Sequence, residues 1–436
     1  MTEVKPQDIL LRVGPKMLER YQSLAVMGAG RGRVAPVPYT FSRADASTVI
    51  HRDGTIRLAL AGVPRIEFVD LDGDGLREKE VLVLEGSRTN TMLRSEELND
   101  AGWTKTQCSI ISDGFTAPDS TITMDKILEN TATSQHFILR SPSDAQSDNT
   151  SPTLTFFVAP AGRTWCTLNI RGKDGIERGR YFQLTGAGTV GSAVNGGAGH
   201  IVYIGNGIYR ISVTANVQTG GTTPAALLYP ATADGTNSYT GDGTSGILAW
   251  GAQWESNVTF ESSYLKAVSS AVTRAADSLT VPFSFGPIDM TVLARMARPI
   301  HADVAGALGF SPRIYELAGS AVPFLRTFFN NSARELFTQI DTSGTDASTA
   351  AGAIPAGTEL VYVSQYKNLA TGGQVAHDVG SGLSSFSSAA TAFVSFGNQV
   401  LSIGKIGSGG EELFGGLIDL VVLRGLFSRA ECLAIP

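Results

Sequence analysis

The sequence predicts an all-β protein, and three observations carry that prediction. Glycine fills 49 of 436 positions, about 11% against a usual ~7%. Charged residues make up only 17%, below the usual ~25% that long solvated helices would demand. Short apolar or alternating runs recur between Gly, Asn, Asp and Ser clusters, the pattern of strands joined by tight turns. A chain of this length exceeds one ordinary core and implies several domains. The expected order is a small N-terminal arm and β region followed by two β-sandwiches.

Residues 1–38 form the arm. Pro6–Arg12 and Pro15–Tyr21 suggest short helical turns, and Gly28-Ala29-Gly30-Arg31-Gly32-Arg33 reads as a flexible connector. The segment suits docking onto another protein, and suits equally a tail packed on its own domain. Residues 39–95 form a small β-hairpin region. Asp53-Gly54 separates Ser47–Ile50 from Thr55–Leu58, a hairpin signal. Arg65–Val69 and Glu80–Leu84 then flank an acidic loop.

Residues 96–280 read as a jelly-roll-like sandwich, with strands at Thr153–Val158, Trp165–Ile170, Tyr209–Thr214 and Ala225–Tyr229. Gly186–Gly199 is Gly/Ala-rich and reads as a loop. Residues 281–436 supply the second sandwich, from Met290–Met296 through Glu359–Tyr366 to Gly415–Arg424. Ser428 is placed to cap a short final helix.

Several chemistries find little support. Net charge is -6 and no basic run forms an arm, so no nucleic-acid partner is expected. Cys108, Cys166 and Cys432 lack CxxC spacing and read as buried small apolar groups. Five dispersed histidines offer no zinc pairing. There is no signal-peptide pattern and no apolar run of membrane-spanning length, so membrane insertion is not expected. Synthesis in the cytoplasm without secretion follows as an expectation.

Asp70-Leu71-Asp72-Gly73-Asp74-Gly75 places carboxylates at alternate positions before a glycine, an arrangement that can wrap calcium, with Glu78 as a further oxygen ligand. The match is incomplete, because Val81 occupies the twelfth position where a bidentate glutamate is required. A solvated turn is the competing reading, and calcium is the one candidate cofactor. Glu255, Glu261 and Asp277 are acidic candidates for glycoside hydrolysis, which needs two carboxyls across a cleft. Trp103, Trp165, Trp250 and Trp254 suit sugar stacking and a sandwich core alike, with core the reading for Trp165 and Trp250, and Trp254 left open. In Ile247–Glu255, alternation puts Trp250, Ala252 and Trp254 on one face. Trp254 is therefore the candidate glycan platform, with Asp242 of Tyr239–Gly243 as a companion that suits a self-bonded turn equally well.

Phe41-Ser42-Arg43-Ala44, Ala61-Gly62-Val63-Pro64-Arg65, Glu85-Gly86-Ser87-Arg88-Thr89-Asn90, Asn206–Arg210, Tyr239–Gly246, Trp250-Gly251-Ala252-Gln253 and Thr273-Arg274-Ala275-Ala276-Asp277 occur in that order. This set resembles a family of tailed-bacteriophage virion proteins, over roughly residues 39–280. The resemblance implies a virion component of the tail, fibre, neck or head-decoration type, not an enzyme. It implies contacts to other virion proteins through the arm, a homo-oligomer (a trimer above all) and contact with host-surface glycans. A glycan-binding adhesin and a polysaccharide depolymerase are the rival readings. The central region is similar to carbohydrate-binding-module jelly rolls. The closing Gly416–Arg424 and Phe427–Leu433 pattern resembles the end of concanavalin-A-like, laminin-G-like sandwiches.

Overall fold

A computed structural model describes residues 9–15, 24–27, 34–37, 39–71, 74, 76–256, 258, 260–285, 289–297, 313–318, 325–330, 335–340, 345–348, 359–369, 372–378, 396–403 and 416–434. Among them the protein is all-β, with a single five-residue helix, Arg429–Leu433. Two antiparallel sandwiches account for most strands, and one is nested inside the other.

The central sandwich spans Thr104–Glu255 and packs two six-stranded sheets face to face. Alternation along paired strands builds its core. Cys166, Leu168 and Ile170 of one sheet meet Leu154, Phe156 and Val158 of the other. The expected Gly186–Gly199 loop instead contributes Thr189–Val194 to one sheet and begins Ala198–Gly205 in the other. Asn195 (φ 45°) and Gly196 (φ 81°) make the crossing, in the left-handed region those residue types tolerate. Both strands lie at sheet edges, where small residues suffice.

The outer sandwich packs a nine-stranded sheet on a seven-stranded one. Met290–Ala297 runs between Glu359–Leu369 and Gly416–Arg424. The core between the sheets joins Val292, Tyr362, Leu420 and Val422 to Leu279, Val281, Leu401 and Ile403. Segments from the first hundred residues complete these sheets. Thr40–Ser42 pairs with Ser278–Phe285, while Arg65–Val69 pairs with Lys79–Val83, which pairs in turn with Gly416–Arg424. The four consecutive parts expected along the chain are therefore interleaved. The outer sandwich is built from both ends of the chain, and the central one is inserted between Lys79–Val83 and Ser278–Phe285.

The arm needs a matching correction. Ile9–Val13 is a strand, not a helical turn, and pairs with Gly416–Arg424. Leu11 and Val13 are fully buried. Leu24–Met27 and Val34–Val37 extend the same sheet, so these parts of residues 1–38 pack on their own domain. Most of the Pro15–Tyr21 helical turn and of the glycine-rich connector lie outside the described residues.

Two local expectations are met. Ser47–Ile50 and Ile56–Ala59 form the expected hairpin around Gly54 (φ 78°). Its Ile50 and Ile56 pack on Phe157, Trp250 and Tyr264 of the central sandwich. Ser428 caps the final helix, accepting from Glu431 N while Glu431 accepts from Ser428 N, a reciprocal capping box.

Candidate functional site

Most of the runs that carry the resemblance converge at the junction of the two sandwiches, whereas Tyr239–Gly246 lies beside Glu129 and Arg163. The chain enters the central sandwich through Arg88–Asn90 and leaves it through Val272–Arg274. These strands pair antiparallel, Arg88 against Arg274 and Asn90 against Val272. Asn90 is fully buried and saturated. Its amide donates to Ala252 O (3.1 Å) and Leu265 O (2.7 Å), and its Oδ1 accepts from Met92 N and Trp254 N (both 2.9 Å). Only asparagine or glutamine offers two donors and two acceptor sites on one neutral group.

Beside this stem lies a buried ion network. Glu85 meets Arg65 at 2.8 Å and Arg274 at 3.2 Å, and accepts from Ser263 N (2.9 Å) and Oγ (2.8 Å). Asp277 meets Arg43 at 3.0 Å, Arg65 in close contact and Arg274 at 3.8 Å, and accepts from Glu85 N (2.8 Å). The side chains of Arg43, Arg65, Arg274 and Asp277 have no exposed surface. Arg43 also donates to the carbonyls of Asp45, Ala59, Leu60 and Val63, tying in the hairpin. Burial alone would raise the Glu85 carboxyl. Arg65 and Arg274, with the Ser263 hydroxyl, outweigh it and hold Glu85 well below the usual carboxylate range.

A second set adjoins it. Glu255, buried, accepts from Gln253 Nε2 (2.9 Å), Ser262 N (3.0 Å) and Ser262 Oγ (2.5 Å), and faces Arg88 at 3.8 Å. Two of the three hydrolytic candidates, Glu255 and Asp277, are thus enclosed by cations and hydrogen-bond donors. Glu261 lies elsewhere, 2.9 Å from His200 Nδ1 and accepting from Ser212 Oγ at 2.9 Å. The arrangement fixes the relative pose of hairpin, stem and sandwich, and presents enclosed charge rather than an open reacting centre.

Trp254 requires correction as a glycan platform. It is fully buried in the central core, whereas Trp250 packs on the opposite side with Phe157 and Tyr264. The expected shared face fails because the strand bulges. Gln253 pairs with Thr155 and Trp250 with Phe157, so two residues, Gly251 and Ala252, oppose Phe156 alone. One extra residue reverses the parity of every side chain beyond it. Gly251 takes φ 68°, and a Cβ there would lie 2.9 Å from the Phe157 ring.

Asp242 caps its own turn, accepting from the backbone N and hydroxyl of both Thr244 and Ser245. It also lies 3.3 Å from Arg163, whose guanidinium pairs with buried Glu129. Those hydrogen bonds, the Ser245 hydroxyl first, hold its carboxyl well below the usual range. Asp242 and Trp254 are not brought together.

The acidic loop links Arg65–Val69 to Lys79–Val83. Asp72 lies outside the described residues. Asp74 accepts from Leu76 N at 2.7 Å, a local turn, and Glu78 is exposed and lines a cleft with Lys79 and Glu80. Among the described residues, no group of three or more His, Cys, Asp or Glu is placed to hold a metal.

Asp125 offers a titration handle outside the junction. Burial pushes its carboxyl up to about 6, against the lowering effect of bonds from Asp113 N and Leu98 N. Its folded pKa exceeds its unfolded one. Its contribution to stability is therefore fully present below pH ~4 and is lost as pH rises through about 6. Between pH 4 and 7.5, Asp125→Asn is expected to show a shallower loss of melting temperature than the parent. Parallel curves would refute the assignment.

No family model matches this sequence, and no curated protein matches it. Among solved structures, domains LG4-5 of the mouse laminin alpha1 chain share 10% identity, covering 69% of this chain and 90% of that one, with TM-score 0.24. The CBM22-1-CBM22-2 tandem of Paenibacillus barcinonensis Xyn10C also shares 10% identity, covering 78% and 98%, with TM-score 0.24. At these scores the likeness carries no argument about ligand or mechanism.

Proposed function

We propose that this chain is a structural component of a tailed-bacteriophage virion, a projecting tail, fibre, neck or head-decoration protein acting as a homo-oligomer. The observation that supports the reading is where the ordered motifs go. Arg43, Arg65, Glu85, Arg88, Asn90, Gln253, Arg274 and Asp277 all serve one rigid, enclosed junction between two β-sandwiches. Residues that hold two domains together, rather than line an open cleft, fit a scaffold. Antibody raised against the purified chain is expected to decorate gradient-purified particles at regular positions under electron microscopy. Its absence from particles that retain infectivity would overturn the reading.

A second reading, contact with host glycans, draws on the face of one six-stranded sheet turned away from the central core, where Trp165, Arg171, Glu177 and Gln183 are partly exposed and Thr167, Asn169 and Tyr181 are buried. There Trp165, Thr167, Asn169 and Arg171 stand opposite Gln183, Tyr181, Gly179 and Glu177. Of the four tryptophans, Trp165 alone retains partial exposure. Glu177 accepts from Tyr229 OH and Asn169 Nδ2 (both 2.9 Å), a prearranged polar set. A glycan array that retains the parent and loses Trp165→Ala supports it, and an array with no retention removes it.

A further inference from the structure

Two Asn-Gly pairs turn the chain of the central sandwich, Asn195-Gly196 and Asn206-Gly207. All four residues are exposed. In each pair both residues take positive φ, 45° and 81° in the first, 57° and 73° in the second, as tight Asn-Gly turns require. A Cβ on Gly196 or Gly207 would meet nothing within 4 Å, so both turns stand open to solvent. They differ in what holds the glycine nitrogen. Gly207 N donates to the Tyr203 hydroxyl at 3.2 Å. Gly196 N donates to no group among the described residues, while its neighbour Gly197 N closes the turn on Val194 O at 3.2 Å.

We propose that Asn195 is a site of spontaneous covalent modification, converting to aspartate and isoaspartate through a succinimide, and that Asn206 is protected from the same reaction. The Gly196 nitrogen, giving its proton to solvent, bonds to the side-chain Cγ of Asn195. The bond from Cγ to Nδ2 breaks, and Nδ2 takes up a proton and leaves as ammonia. Water then opens the cyclic imide at either carbonyl. Net, one water enters and one ammonia departs, and nothing is oxidised or reduced. A side chain on residue 196 would crowd the attacking nitrogen, and glycine has none. The leaving amides are held alike, Asn195 Nδ2 by Glu177 O (2.8 Å) and Asn206 Nδ2 by Asp53 O (3.1 Å). The nucleophile makes the difference, because at Asn206 its bond to Tyr203 must break first and adds to the barrier.

The position gives the reaction a structural consequence. Asn195 lies where the chain crosses from Thr189–Val194 in one sheet to Ala198–Gly205 in the other, an edge strand in each case. Aspartate would replace the donor to Glu177 O with an oxygen, and isoaspartate would lengthen the main chain by a methylene. The crossing has no slack for either, since a Cβ on Gly197 would collide with the Gly179 backbone. Conversion therefore adds negative charge with age and loosens both edge strands. The inference is independent of the virion reading, because it rests on the two turns alone.

The test is incubation of the full chain in warm, mildly alkaline buffer, followed by peptide mass mapping, with a synthetic peptide of residues 192–199 run beside it. Asn195 is expected to show the mass change of NH exchanged for O about tenfold faster than Asn206, the effect of one hydrogen bond on a barrier. Isoaspartyl methyltransferase should label the aged chain, and its hydrogen exchange should quicken in Thr189–Val194 and Ala198–Gly205. Asn195→Gln should abolish the change at this turn, and Asn195→Asp serves if that variant fails to fold. Tyr203→Phe, which frees Gly207 N, should raise the Asn206 rate toward that of Asn195. Conversion of the peptide but not of Asn195 in the folded chain, an Asn206 rate equal to or above that of Asn195, or an Asn206 rate unmoved by Tyr203→Phe would overturn the proposal.

Discussion

Replacing Asp277 with alanine is expected to cost about 3–5 kcal/mol of stability, because it leaves buried cations without their partner. Arg65 and Arg274 would then have Glu85 alone and Arg43 would lose its carboxylate partner, with none of these three side chains exposed. The loss should appear as a drop of roughly 10 °C in melting temperature. It should also separate the unfolding of the two sandwiches, since Asp277 N bonds Glu85 O and Asp277 Oδ2 accepts from Glu85 N across the junction. Thermal denaturation followed by calorimetry measures both effects. A loss below about 1 kcal/mol, the range of exposed ion pairs, would show that water reaches the network.

The second large effect is expected at Trp254, where alanine should cost about 3–5 kcal/mol by opening a cavity in the central core. Its indole is fully buried, and its Nε1 has no hydrogen-bond partner. Trp254→Phe removes that orphaned donor while keeping most of the volume, so it should cost less than about 1.5 kcal/mol. Denaturant midpoints for the two variants test this ordering. A stacking platform would behave otherwise, since truncation there would weaken sugar binding and spare the midpoint.

Much of the local structure was legible in the residues. The Asp53-Gly54 hairpin, the central strands and the Ser428 cap follow from turn chemistry, alternation and capping, all of which act over a few residues. The nested architecture was not. Arg12 and Asp419 are 407 positions apart, and edge pairing between Ile9–Val13 and Gly416–Arg424 leaves no periodic trace that names the partner. The face of Trp254 was misread for a related reason. A bulge inserts one residue, and Gly251 within an alternating run is its only sequence sign. The junction was half legible. Arg65, Glu85, Arg274 and Asp277 stood in quoted motifs, yet nothing local says that four charges spread over two hundred positions neutralise one another. Arg163 with Glu129 carried no such flag and was missed.

The nested order also governs how the molecule bears load. Ile9 pairs with Leu423 and Val13 with Leu420, so the first and last strands of the outer sandwich present their free ends on the same side. Tension applied there would unzip the ladder one bond at a time rather than shear many together. The inserted sandwich experiences no such pull, because its entrance and exit strands lie side by side, Arg88 against Arg274. Force would bypass it until the outer sandwich had opened, leaving the inner domain folded as the last part of the chain to yield.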